Sequence, residues 1–203
     1  MRNHSFKIST TTLTAATIAA CIASTPVLAE GWYTGVDIVS QRTTLDYTTK
    51  SEDYVTQHIR IKLGYAFNEN FSLEARAMSD ANDTDTHTGG NLFRWRSGLT
   101  ASLYGRVTIP MDFRIGHIDG YLLFGASSMD TTYTNTVANT SSTEKVSTFD
   151  FGLGAEYRVN KKLSLALEGR IFRGTADYST FFTNPDSVSV TGKSLSLGTT
   201  YRF

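Results

Sequence analysis

The final ten residues constrain the chain most. Leu195, Leu197, Thr199, Tyr201 and Phe203 alternate with Ser194, Ser196, Gly198, Thr200 and Arg202. Successive side chains leave a β-strand on opposite faces, so this period-two pattern predicts a strand with one apolar and one polar face. The ends of soluble domains usually fray into water. An apolar-faced strand that stops on an aromatic residue instead suits a chain end lying against lipid.

The opposite end predicts the compartment. Arg2 and Lys7 precede a threonine-diluted apolar stretch from about Ile8 to Ala23, and Pro26-Val27-Leu28-Ala29 follows. The pattern predicts a signal peptide over 1–29, cleaved between Ala29 and Glu30, and a single domain over 30–203. An uncleaved anchor is the alternative, but the stretch is short and polar for a bilayer-spanning helix. Ile18-Ala19-Ala20-Cys21 also loosely resembles a lipoprotein cleavage box.

Composition narrows the class. Without its first 29 residues the chain keeps 17 basic against 19 acidic residues and no cysteine. Nothing there suggests a nucleic-acid partner, a disulfide framework or thiol chemistry. The chain has only three prolines, is rich in Thr, Ser, Tyr and Phe, and shows little helical periodicity. It reads as all-β.

Eight alternating segments follow. The first runs from Trp32 to about Gln41. The second, Tyr54 to Phe67, sets Val55, Ile59, Ile61, Leu63 and Tyr65 against His58, Arg60, Lys62 and Gly64, and Asn68-Glu69-Asn70 turns it into a third, where Phe71, Leu73, Ala75 and Ala77 oppose Ser72, Glu74, Arg76 and Met78. The sixth and seventh repeat this arrangement around Asn160-Lys161-Lys162. The fourth starts near Leu92 and places Phe93, Trp95, Leu99, Ala101, Leu103, Val107 and Ile109 against Arg94, Arg96, Gly98, Thr100, Ser102, Tyr104 and Arg106. Its alternation persists long enough that a turn is expected at Pro110 or in the Arg114 to His117 region. The fifth, about Ile118 to Tyr133, contains Tyr121-Leu122-Leu123-Phe124, whose facing is ambiguous. The eighth runs from about Val188 to Phe203.

Connections alternate short and long, with loops expected at about Arg42 to Asp53, Asp80 to Asn91, Ser128 to Ser147 and Gly174 to Ser187. Trp32, Tyr65, Phe67, Phe71, Tyr157, Tyr201 and Phe203 fall at strand ends beside the short turns, and Phe93, Trp95, Phe149, Phe151 and Phe172 nearer the long loops. Two aromatic belts, short turns on one side and long loops on the other are what membrane barrels show. A soluble sandwich would hide these aromatics inside.

These residues resemble the small eight-stranded outer-membrane β-barrels of Gram-negative bacteria, which include opacity-like proteins and the transmembrane domain of outer-membrane protein A. The resemblance spans the mature chain. It is strongest from Phe149-Asp150-Phe151-Gly152-Leu153-Gly154-Ala155-Glu156-Tyr157-Arg158-Val159-Asn160 through Leu163-Ser164-Leu165 to the end. It implies an up-and-down antiparallel barrel in the outer membrane with both termini in the periplasm, surrounded by lipid and lipopolysaccharide. It also implies assembly by the outer-membrane insertion machinery through a terminal signal made of Leu195, Leu197, Tyr201 and Phe203. A monomer is expected, with no cofactor and no peptidoglycan-binding domain.

An eight-stranded barrel has an interior filled by side chains. The faces assigned inward carry Arg60, Lys62, Arg76, Arg94, Arg96, Arg106, Arg158, Arg170 and Arg202 against Glu74, Asp150, Glu156, Glu168 and Asp37. Charges taken out of water must pair or keep water with them. The expectation is a paired plug, with a narrow anion-preferring pore as the alternative suggested by the excess of arginines.

Other candidate sites are weaker. Lipid A-modifying barrels need a nucleophile beside a histidine, but no mature histidine lies two residues before a serine, and His58 near the rim reads as a surface histidine. Asp80, Asp83, Asp85 and His87 could ligate a cation but lack the glycine and terminal glutamate of a calcium loop. Tyr47, Tyr54, Tyr133, Tyr178, Phe181 and Phe182, set among Thr, Ser and Asn, suit a recognition surface for an unidentified extracellular ligand. The expectation is therefore a non-enzymatic barrel with a structural or surface-binding role.

Overall fold

The computed structural model describes residues 31–46, 51–79, 81–82, 86–88, 91–113, 116–135, 140–176 and 188–203. The signal segment and its Ala29 junction lie outside the described residues. The strands are β1 (Trp32–Asp46), β2 (Ser51–Ala66), β3 (Phe71–Met78), the short β4 (Ala81–Asn82) and β5 (Thr86–Thr88), β6 (Asn91–Phe113), β7 (Gly116–Asn135), β8 (Thr140–Arg158), β9 (Leu163–Ala176) and β10 (Val188–Arg202). Both short strands pair antiparallel with β6 on the side that β3 occupies. They continue the line of β3, so the ten segments make eight staves.

The sheet runs β3-β2-β1-β10-β9-β8-β7-β6 and closes through β3 pairing with β6, every pair being antiparallel. Closure leaves no sheet edge, so every stave finds backbone partners on both sides, as a lipid environment demands. The short turns are tight. Asn68 Oδ1 accepts from the amides of Asn70 and Phe71, and Asn160 Oδ1 accepts from those of Lys162 and Leu163. The Asn that ends each hairpin pattern is thus its turn-former.

Strand limits differ from the sequence expectation in two places, and a third expectation is narrowed. Of the two turn positions expected for the fourth strand, Pro110 makes none; β6 continues to Phe113, is 23 residues long and pairs Phe113 with Gly116, so the chain reverses in the Arg114 to His117 region. The Thr108 amide still donates toward the β3 side, to Asn70 O, and the pairing with β3 ends at Val107. Pro110, two residues on, lacks its N–H just where no strand remains to receive it. The Ser128 to Ser147 loop is mostly strand, since β7 continues to Asn135 and β8 starts at Thr140. Likewise β1 continues past Arg42 to Asp46. A barrel strand crosses a bilayer with about 9–11 residues. Strands of 15 to 23 residues extend well past that on the loop side, and β6 also at its short-turn end.

The outer surface records where the crossing ends. On β1 the outward residues change from Val36 and Ile38 to Ser40 and Arg42; on β10 from Leu195 to Lys193; on β9 from Ile171 to Arg173; on β8 from Phe149 to Ser147. The register sets these transitions near one level, because Ser40 pairs with Leu195 and Arg42 with Lys193. At about the same level the inside changes in the opposite sense. Toward the short turns the inward residues are Asp37, Arg60, Lys62, Glu74, Arg76, Arg106, Glu156 and Glu168; toward the loops they form an apolar cluster of Leu45, Tyr54, Met129, Val146, Phe172, Ala176, Val188 and Val190. The lower barrel is greasy outside and charged inside. The upper barrel is more like a soluble protein, largely polar outside and with its apolar cluster inside among buried Thr43, Thr56, His58 and Thr131.

Candidate functional site

Inside the lower barrel the charged side chains join into one continuous line of ion pairs. Lys62 Nζ meets Asp37 Oδ1 at 3.0 Å, and Arg60 meets Asp37 Oδ2 at 2.8 Å and Glu168 Oε1 at 3.1 Å. Arg76 bridges Glu168 and Glu74, at 2.8 Å and 2.6 Å. Arg106 then bridges Glu74 and Glu156, at 3.2 Å and 2.5 Å, and Arg202 closes on Glu156 at 2.7 Å. Positive and negative groups alternate from Lys62 to Arg202, five against four. This repeated pairing is what allows ions out of bulk water to persist.

Tyrosines complete the arrangement. Tyr33 donates to Glu74 at 2.8 Å, and Tyr121 donates to Glu168 at 3.2 Å. Arg106 lies 4.0 Å over the Tyr121 ring and Arg76 4.7 Å over that of Tyr104, within cation–π range. A second group lies above: Asp150 accepts from Tyr104, Ser127 and Thr148 and pairs with Arg170 at 3.2 Å. Among the described buried side-chain atoms, only Arg60 Nη1, Thr100 Oγ1 and Thr200 Oγ1 lack a hydrogen-bond partner.

Room for the tyrosines comes from glycine. Tyr33 pairs across the sheet with Gly64, Tyr104 with Gly125 and Tyr121 with Gly154. A Cβ at any of these glycines would collide with the tyrosine beside it. Each ring lies flat on the neighbouring strand and points its hydroxyl into the lumen.

The sequence-assigned lumen residues divide. Arg60, Lys62, Glu74, Arg76, Arg106, Asp150, Glu156, Glu168, Arg170 and Asp37 are buried inside. Arg202 belongs to the line but sits at its mouth. Arg158 stands on the same face at the short-turn rim, where its side chain is 43% exposed and pairs with the buried Asp119 at 2.6 Å. Arg96 is corrected, for it is exposed on the outer face. Ser97 pairs with Thr131 and Thr100 with Met129, so β6 carries one extra residue there; this bulge reverses the alternation. The Arg94 side chain lies outside the described residues. With Arg96 outside and the buried Asp119 added to the acids, the expected arginine excess shrinks.

Further corrections concern residues placed at the surface. Tyr54, read as a loop aromatic, is buried in the apolar cluster, and Phe172, read as part of the outer belt, points inward with it. His58 is buried, not superficial, and its ring contacts Thr56 Oγ1 and the Ser79 carbonyl, each at 2.8 Å. Asp80, Asp83, Asp85, Tyr47, Tyr178, Phe181 and Phe182 and the side chains of His87 and Tyr133 lie outside the described residues. Sequence reasoning set Tyr104 on the polar face but missed Tyr33 and Tyr121 as lumen groups. The glycines at their cross-strand partners were the available signal, legible only once register is known.

The spaces left in the lumen are unequal. At the short-turn mouth a cavity of about 600 Å³ is bounded by Trp32, Tyr33, Arg106, Asp119, Arg158 and Arg202. Beyond the ion-pair line a void of about 10 Å³ lies among Gln41, Met78, Asp150, Arg170 and Phe172, about enough for one water. Met129 and Phe172 of the apolar cluster line it.

Known structures share this architecture. Neisserial surface protein A is similar over 86% of this chain and 98% of its own, at 16% identity and a TM-score of 0.54. Ail, the attachment invasion locus protein of Yersinia pestis, is similar over 86% and 100%, at 14% identity and 0.51. OprG, an outer membrane protein of Pseudomonas aeruginosa, is similar over 86% and 96%, at 12% identity and 0.57. At these identities the likeness is one of fold. No curated protein sequence matches the chain. The family model of the outer membrane protein beta-barrel domain matches residues 11–203, nearly the whole chain. The closed antiparallel barrel with its apolar outer belt agrees with that description, and this chain belongs to the family.

Proposed function

We propose that this outer-membrane barrel is a surface-binding protein, in which the membrane portion anchors and the extended upper barrel presents the connections between strands to the exterior. In this reading the short turns and both termini face the periplasm, and the insertion machinery recognises the strand that ends in Tyr201 and Phe203. The observation that carries it is the filling of the lumen, by an ion-pair line with an apolar cluster above it. A solute would have to break both, which weighs against the narrow-pore alternative. Strand extension adds support, because side chains on a rigid scaffold held clear of lipid can meet a partner at little entropic cost. Ail, named for attachment and invasion, shares the fold.

Binding is tested with cells expressing the protein, probed on immobilised matrix proteins and polysaccharides. Replacing residues 136–139 and 177–187 by two-residue turns should abolish attachment while the barrel still assembles. Attachment that survives both replacements contradicts the reading.

A further inference from the structure

Arg42 on β1, Lys193 on β10 and Arg173 on β9 are exposed, point outward and occupy three successive staves. Arg42 and Lys193 are direct cross-strand partners. Lys193 pairs with Ile171, which puts Arg173 on its diagonal. Directly opposed side chains on one face have Cβ atoms about 4.5–5.5 Å apart and diagonal ones about 7–8 Å, and like charges set opposite each other are destabilising. Among the described residues none of the three is in an ion pair. Among the described residues the nearest outward carboxylates, Asp53 and Asp46, lie one and two pairs further toward the loops, and Asp53 is already held by Thr44 Oγ1 at 2.6 Å. Among the described residues, then, the row is a cluster of cations without a compensating carboxylate.

Its height says what compensates it. Lys193 and Arg173 each stand two residues beyond the last outward apolar residue of their strand, Leu195 and Ile171, a rise of about 7 Å along the strand. That is the depth of lipid headgroups rather than of bulk solvent. We propose that Arg42, Lys193 and Arg173 form a binding site for the phosphate groups of lipopolysaccharide in the outer leaflet. Two arginine forks and one ammonium suit phosphate oxygens, and a phosphorylated headgroup lying across the three staves would turn a local repulsion into charge-assisted hydrogen bonds. The site rests on the orientation proposed above, with the loop side outward.

The test places the folded protein in phosphatidylcholine vesicles doped with diphosphoryl lipid A, with the same lipid A stripped of phosphate, or with phosphatidylglycerol at matched charge, and follows melting by circular dichroism. The wild type should melt higher with diphosphoryl lipid A than with either control. The R42Q/R173Q/K193Q variant should melt in plain phosphatidylcholine at least as high as wild type and lose that rise; if it does not fold, R42Q and K193Q singly should each reduce it. K145Q, which alters a cation outside the row, should keep it. An undiminished rise in the variants, an equal response to phosphatidylglycerol, or a response only to a soluble sulfated polysaccharide would each overturn the proposal. Vesicle lipid surrounds both ends of the barrel, so an error in orientation leaves this result intact and shows itself only in labelling of whole cells.

Discussion

Arg76 and Glu168 meet fork to fork across the full width of the lumen, Nη1 to Oε1 at 2.8 Å and Nη2 to Oε2 at 2.9 Å. Their strands, β3 and β9, are four staves apart around a ring of eight. The pair is therefore a strut across the diameter. Removing one partner strands a buried charge at a cost of about 3–5 kcal/mol, whereas replacing both by well-packed apolar residues is often nearly neutral. R76M should lower unfolding stability in lipid vesicles by about that amount, and R76M/E168M should recover most of the loss. Additive losses would show that the two side chains are not coupled.

Tyr33 and Gly64 make a second, steric test. The ring fills the space a side chain at Gly64 would need, while a Cβ at Gly169, on the outer face, would meet nothing within 4 Å. Overpacking costs about 1–3 kcal/mol. G64V should destabilise by that range and weaken the Tyr33 bond to Glu74, but G169V should leave stability nearly unchanged. Equal effects in denaturant titrations would dismiss the tyrosine-on-glycine account.

The change of polarity along the strands predicts a position-dependent cost for charge. Leu153 faces outward in the middle of the lipid-facing part of β8, and Thr143 faces outward on the same strand above the transition. A lysine on the lipid face costs about 2–4 kcal/mol near the bilayer midplane and about 0–1 near the interface. L153K should fall in the first range and T143K in the second, measured by equilibrium unfolding in bilayers. Similar costs at both sites would place the membrane elsewhere on the barrel.

Orientation is accessible because residues 30–203 contain no cysteine. Lys145, 71% exposed on the upper barrel, and Lys161, exposed in a short turn, lie at opposite ends. On intact cells a membrane-impermeant maleimide should label K145C and spare K161C. The reverse pattern would invert the barrel.

The sequence made the lower barrel legible and misled about the upper one, for a single physical reason. Where lipid lies outside, alternation reports facing directly, so Ile59, Ile61, Leu63 and the charges between them are assigned correctly. Above the membrane the same alternation changes meaning. Met129 and Val146 point inward beneath outward Asp130 and Lys145, so a polar, threonine-rich stretch that reads as a loop is a strand of a soluble-type barrel. Phe172 and Tyr54 were misplaced for this reason too. The β7 run is ambiguous because both faces are apolar there: Tyr121 and Leu123 point in, Leu122 and Phe124 out. Arg96 depends on one inserted residue that periodicity alone does not reveal. The candidate ionic residues were legible as a set, but their order along one line of pairs required the register.

Single-channel recording of the refolded barrel, residues 30–203, in a planar bilayer tests the central claim, that the lumen is sealed by the ion-pair line and the apolar cluster above it. The wild-type barrel should insert fully folded and stay silent across the voltage range. Discrete conductance from folded wild-type protein, altered by charge reversal at Arg76, would contradict the sealed lumen and make the barrel a pore.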